Sequence, residues 1–168
     1  ARAPQDPGTP PNQVFASVRQ CFTRMGFDQP NAGTAQWNPL RAIVRPGARV
    51  LIKPNLVRHA NHGDGGTDCL VTHGSVVRAV LDYVLLALNG RGEVWIGDAP
   101  IQSAEFEQVL AVTGIDAVVL DARTRTSVPI HLTDFRRMAA DEAQGGLVSE
   151  RRDLRGDPNG LIAVDLGS

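Results

Sequence analysis

The sequence predicts an α/β domain built on a mostly parallel, Rossmann-like three-layer sheet with helices on both faces. Three observations predict it. The short runs Val50–Ile52, Val94–Ile96 and Val118–Leu120 are continuously apolar, as in parallel strands covered on both faces. Segments of helical periodicity separate them. The resulting β-α-β-α-β order implies parallel strands joined by right-handed crossovers.

Composition fits that class. Hydrophobic residues at 42% and charged residues at 21% are those of an ordinary globular chain, neither disordered nor membrane-embedded. A chain of 168 residues is long enough for one domain burying roughly 70% of its unfolded surface. Seventeen basic and eighteen acidic residues leave a net charge of -1. No global positive field is present to gather nucleic acid or an anionic membrane. The most apolar stretch, Val76 to Leu88, is interrupted by Arg78 and Asp82 and is too short to span a bilayer. Cys21 and Cys69 stand far apart, which argues against a disulfide framework and for a reducing, cytoplasmic compartment.

Along the chain, residues 1–11 are rich in Pro and Gly and read as a flexible tail. Residues 12–168 read as a single α/β domain. Val14, Val18, Phe22 and Met25 recur at spacings of three and four, so a helix begins at Asn12 and ends at Gly26. A polar loop containing Trp37 follows. Pro46-Gly47 then turns the chain into the first strand, expected to be central in the sheet. Pro54 to Thr72 carries Gly63, Gly65 and Gly66 among Asn, Asp and His residues. Structureless loops of this length are uncommon in compact domains and are often functional, and this one should be mobile unless a ligand is bound. Val77, Val80, Leu81, Val84, Leu85 and Leu88 form the clearest helical face, with Thr72 or Ser75 able to cap its start.

After Gly90, the run Val94–Ile96 supplies the second strand, Ser103 to Thr113 a helix, and Val118–Leu120 the third strand. Val128 to Leu132 is a further strand candidate, and so is Leu161 to Leu166. The latter ends close to Ser168, from which the chain is expected to be the front part of a longer protein. Trp37 and Trp95 read as packing residues. Arg151, Arg152 and Arg155 read as a solvated basic face.

In parallel α/β sheets, ligands bind outside the carboxyl ends of the strands. Those ends bring forward Lys53 and Asn55 after the first strand, Asp98 after the second and Asp121 after the third. An ammonium at the end of an apolar strand is costly to bury unless a carboxylate or an anionic ligand meets it. Lys53 and Asp98 are accordingly the candidate catalytic pair, with a structural ion pair as the alternative. Thr72-His73-Gly74-Ser75 opens a helix whose unpaired N–H groups favour an anion. Asn55, Thr72, His73 and Ser75 are therefore candidate substrate contacts. His59, His62 and His73, with Asp64, Asp68 and Cys69, are donor-rich but match no metal-site spacing. The three histidines remain weak metal candidates, and the expectation is no metal. Neither G-x-G-x-x-G after the first strand nor G-x-x-x-x-G-K-[ST] occurs, which removes the usual signs of dinucleotide or ATP binding.

Val50-Leu-Ile-Lys-Pro-Asn-Leu-Val57, Val71-Thr-His-Gly-Ser-Val-Val-Arg-Ala-Val80 and Ile96-Gly-Asp-Ala-Pro-Ile-Gln-Ser103 resemble, in order and spacing, successive blocks of the domain of unknown function 362 family. The Lys-Pro-Asn-Leu block is the most specific. The resemblance covers Trp37 to Asp121, is expected to extend to the final strand, and carries over Lys53, Asn55 and Asp98 as motif positions without a catalytic role. Gln102 and Ser103, at the end of the third block, are further candidate substrate contacts. Some relatives carry a ferredoxin-like iron–sulfur segment; this chain has no such cysteine motif, so no cofactor is carried over.

The leading functional expectation is an enzyme, or the substrate-binding half of one, acting on a small anionic metabolite. A noncatalytic module docking a partner subunit or a missing C-terminal part of its own chain is the alternative. A metal-dependent protein using the histidine loop is the third.

Overall fold

The computed structural model describes residues 12–142, 148–158 and 160. The expected tail at 1–11 and the strand candidate at 161–166 lie outside them. The first helix, α1 (Gln13–Arg24), starts where Asn12 accepts the Phe15 N–H at its side chain, an N-cap that satisfies one of the orphan donors of the first turn. It ends at Gly26, whose φ of 74° is the left-handed geometry that favours glycine. Phe15 and Phe22 on its inner face pack against Tyr83, and so does Trp37 from the following loop. Trp37 is buried and donates its indole N–H to the Phe27 carbonyl.

Three parallel strands follow in the spatial order β1 (Arg49–Ile52), β2 (Glu93–Asp98), β3 (Ile130–Asp134). Helix α2 (Gly74–Leu88) lies between β1 and β2 in the chain. Helices α3 (Phe106–Thr113) and α4 (Ile115–Arg125) lie between β2 and β3. Gly114, at φ 71°, ends α3 and begins α4. The register aligns Val50 with Val94 and Ile130, and Ile52 with Ile96 and Leu132. These rows form one core with Val77, Leu81, Val84 and Leu88 of α2, Val109 and Leu110 of α3, and Ile115 and Val119 of α4. At about 25 cal/mol per Å² of apolar surface removed from water, this is the dominant favourable contribution to folding. An antiparallel pair, β4 (Met138–Glu142) with β5 (Val148–Asp153), completes the described structure.

Several expectations need correction. Val118–Leu120 is helical, within α4, because Ile115, Val119 and Ala122 recur at i, i+4 and i+7 and are the positions buried; Leu120 points outward and is 67% exposed. The third strand is β3, displaced by two residues from the run Val128–Leu132. The first strand is not central: β1 is an edge of the described sheet, and its second face is open at Leu51, which is 57% exposed. The helix expected from Ser103 begins at Phe106. The cap of α2 is His73, whose Nδ1 accepts the Ser75 N–H at 3.2 Å. No helix among the described residues is long and apolar enough to cross a membrane.

Candidate functional site

The carboxyl ends of β1 and β2 meet at an ion pair. Lys53, one residue beyond β1, places Nζ 2.8 Å from Asp98 Oδ1 at the last position of β2. The two partners differ in environment: the lysine side chain is 60% exposed and that of the aspartate 9%. Asp98 is held from several directions. Its Oδ2 accepts the Leu56 N–H at 2.8 Å, its Oδ1 accepts the Ala99 N–H at 2.8 Å, and its backbone carbonyl accepts from Phe135 N–H at 2.9 Å. A buried carboxylate with two amide donors and one cation is compensated. The ammonium, by contrast, has three donors and spends only one on Asp98, with a long contact of 3.4 Å to the Pro54 carbonyl.

The glycine before Asp98 has a packing reason. A Cβ on Gly97 would run into the Thr133 carbonyl and the Phe135 ring, so only glycine lets β2 and the β3 exit approach this closely. Gly74 is similarly constrained, since a Cβ there would lie 2.6 Å from the Thr113 carbonyl oxygen. The start of α2 is thereby pressed against the α3–α4 junction.

The other candidates fall into distinct roles. Asn55 and Thr72 pair with each other: Thr72 N–H donates to the Asn55 carbonyl at 2.7 Å, and Asn55 N–H donates to Thr72 Oγ1 at 2.9 Å. Together with the Leu56–Val71 bridge, they close the base of the long loop. His73 and Ser75 engage each other at the start of α2, with Nδ1 and Oγ 2.9 Å apart. Gln102 is exposed and Ser103 half-buried, on the loop between β2 and α3. Asp121, expected at a strand end, sits instead on α4, where it meets Arg78 at 2.8 Å and Arg125 at 3.0 Å.

The three histidines are engaged separately. His59 Nδ1 accepts the Glu105 N–H at 3.1 Å, His62 contacts Arg58, and His73 serves as the cap of α2. Among the described residues, no three His, Cys, Asp or Glu side chains come together around one point. Both cysteines are free and exposed. An open cleft of about 440 Å³ lies apart from these residues, lined by Arg137, Met138, Asp153 and Leu154 on the β4–β5 unit.

One residue was not singled out from the sequence. Arg136, 7% exposed, lies just beyond β3. Its Nε and Nη2 donate to the Asp134 carboxylate at 2.7–3.1 Å, and its Nη1 donates to the carbonyls of Ile101, Gln102 and Ala104 at 2.8, 3.0 and 2.8 Å. The available signal was Asp134-Phe-Arg136 directly after an apolar run, since an arginine next to a buried strand needs a carboxylate partner. Asp134 is the register neighbour of Asp98. Two adjacent strands thus end in aspartates, each neutralised by its own cation.

No curated protein and no solved structure matches the chain. One family does: the family described as domain of unknown function (DUF362) matches residues 50–147, a span holding the Lys53–Asp98 pair, both loops beside it and Arg136. With more than half of its length inside that match, the chain belongs to the domain of unknown function 362 family.

Proposed function

We propose that the carboxyl ends of β1 and β2 bind a small anionic metabolite through Lys53, and that the chain is an enzyme or the substrate-binding half of one. The observation that carries this reading is the asymmetry of the ion pair. Asp98 is buried and already served by two amide donors, whereas Lys53 is exposed, directed by the carboxylate and still rich in donors. A half-exposed ammonium with unspent donors is open to an incoming anion. The position, outside the carboxyl ends of adjacent parallel strands, is the usual ligand position of such sheets. Asn55 and Thr72 shape the rim by closing the loop, and His73, Ser75, Gln102 and Ser103 stand as further contacts. A Rossmann-like arrangement, with a third layer over the open sheet face, and a cytoplasmic setting belong to the same reading. The exposed free cysteines favour the latter.

The test is Lys53→Met, with melting temperature and affinity for inorganic phosphate and small carboxylates measured together. Weakened affinity in a protein that still folds supports the proposal, and unchanged affinity with a large loss of stability refutes it.

A second reading has its own observation. Leu51 is 57% exposed in the middle of β1, in register with Trp95, whose ring stacks on His131 with centroids 4.3 Å apart, and a contiguous row of apolar and ring surface on an uncovered sheet face favours docking of a partner. Leu51→Lys should abolish such an association and leave phosphate affinity unchanged.

A further inference from the structure

We propose that the outer edge of β1 is a docking site for an extended acidic segment of a partner protein. The segment is taken up as an antiparallel strand, with an apolar residue opposite Leu51 and carboxylates opposite Arg49 and Lys53. The inference rests on the reading of Leu51 as a docking residue and adds the occupant; it stands whether or not Lys53 also binds a metabolite.

In a parallel ladder successive residues turn their N–H and C=O groups to opposite sides of the strand. The Ala48 carbonyl accepts the Glu93 N–H at 3.1 Å, so Ala48, Val50 and Ile52 face β2. Arg49 and Leu51 therefore turn their backbone groups outward, and among the described residues no strand pairs with β1 on that side. Leu51 offers a donor and an acceptor at the centre of the edge. Such an edge is a template for another chain.

The side chains select which chain. Leu51 is the apolar centre, continuous with Trp95 and His131 across the open face. Arg49 and Lys53 stand two residues to either side of it, each with more than half of its side chain exposed. Residues 41–53 hold Arg41, Arg45, Arg49 and Lys53 and no Asp or Glu, in a chain whose net charge is -1. Arg45 and Arg91 flank the turn into β1, since the Ala48 N–H donates to the Arg45 carbonyl and the Gly47 N–H to the Arg91 carbonyl, both at 3.0 Å. Glu93 and Asp98, which meet Arg49 and Lys53, are more buried than those cations. The edge thus presents positive charge outward.

A second copy of the chain fits this edge badly. Antiparallel pairing centred on Leu51 would set Arg49 of one protomer opposite Lys53 of its partner, and like charges directly opposite destabilise a sheet. An acidic strand turns both positions into attractive pairs. The antiparallel direction also lets one partner residue exchange both backbone bonds with Leu51 while its side chain lies on the same face, extending the apolar row. Main-chain pairing with selection by alternate side chains is the mode of β-strand addition.

The experiment titrates wild-type protein, at low ionic strength, with the labelled peptide Thr-Glu-Thr-Val-Thr-Glu-Thr, blocked at both ends, and follows amide hydrogen exchange of Leu51 at saturation. Two control peptides carry Lys in place of Glu, or an N-methylated Val that cannot donate to the Leu51 carbonyl. The expected result is binding of the acidic peptide with slowed exchange at Leu51, and at least roughly tenfold weaker binding of each control, the scale of one hydrogen bond or two cross-strand charge pairs. Arg49→Glu should weaken the acidic peptide roughly tenfold as well; should it not fold, Arg49→Gln should still weaken it, by less. Binding of the basic peptide as tight as that of the acidic one, an N-methylated peptide of full affinity, or unchanged Leu51 exchange overturns the proposal. So does a protein that pairs with itself and loses that association in Leu51→Lys, which would leave docking at Leu51 standing with a second copy as the occupant. Phosphate titration of the same wild-type protein keeps the readings apart: absence of phosphate binding sinks the metabolite site alone, and absence of peptide binding sinks the acidic strand alone.

Discussion

Replacing Asp98 by alanine should destabilise the protein by about 2–5 kcal/mol, and the contributions can be followed atom by atom. Leu56 is fully buried, and its N–H has Asp98 Oδ2 as acceptor at 2.8 Å. Losing that acceptor leaves a donor shut away from water, at a cost of about 1–3 kcal/mol. The Ala99 N–H belongs to an exposed residue and can turn to solvent, so its loss adds about 1 kcal/mol. The Lys53 pair adds at most about 1 kcal/mol, because the lysine side chain is 60% exposed and water screens it. Asp98→Asn should fall between wild type and alanine, since an amide oxygen can keep the Leu56 bond while its NH₂ faces the remaining donors. Lys53→Met should cost least. Urea unfolding of the three variants under one set of conditions gives the ranking. A Lys53→Met loss equal to that of Asp98→Ala would refute the reasoning, because the ammonium would then be as essential to the fold as the carboxylate.

Gly97→Ala should cost at least about 2 kcal/mol, since its methyl meets the Thr133 carbonyl and the Phe135 ring; wild-type stability in thermal unfolding would contradict this. The Asp28 carboxylate is held below its usual range by the Asn38 backbone N–H, then by the Asn31 amide and by Arg41. Its stabilisation is therefore present above the unfolded value of about 3.9 and is lost as pH falls through the lower folded value. The urea-stability gap between wild type and Asp28→Asn should shrink as pH drops below that range, and a constant gap would count against it. Elemental analysis of purified protein should find no stoichiometric zinc or iron held by His59, His62 and His73, each of which has a separate partner. One ion per chain lost on replacing them would contradict this.

The sequence was most legible where local pattern and tertiary role agree. β1, β2, α1 and α2 could be read directly, because apolar runs bounded by turns and a broad helical face each match one period. The Lys53–Asp98 pair could be read too, since both residues directly terminate apolar strands. Legibility failed where two periods compete. Ala117-Val-Val-Leu120 has the composition of a strand, but Ile115, Val119 and Ala122 have helical spacing. Burial on the α2 side, helped by the Asp121 contacts with Arg78 and Arg125, decides for the helix. Covering of β1 could not be read either, because a continuous apolar run is the same whether its second face is open or packed. Arg136 was only half legible: Asp134, two residues earlier, marks its carboxylate partner, but its other partners are backbone carbonyls some 32–35 residues earlier in the chain, and a carbonyl leaves no trace in a sequence.

The central claim is that Lys53 offers its charge to a ligand and is not merely the counter-ion of Asp98. Titration of wild-type and Lys53→Met protein with inorganic phosphate, alongside their melting curves, tests it most directly. The account predicts that the substitution weakens phosphate binding at least about tenfold, the loss of one charge-assisted contact, with stability changed by no more than about 1 kcal/mol. Equal phosphate affinity in the two proteins, accompanied by a large fall in the melting temperature of the variant, would contradict it.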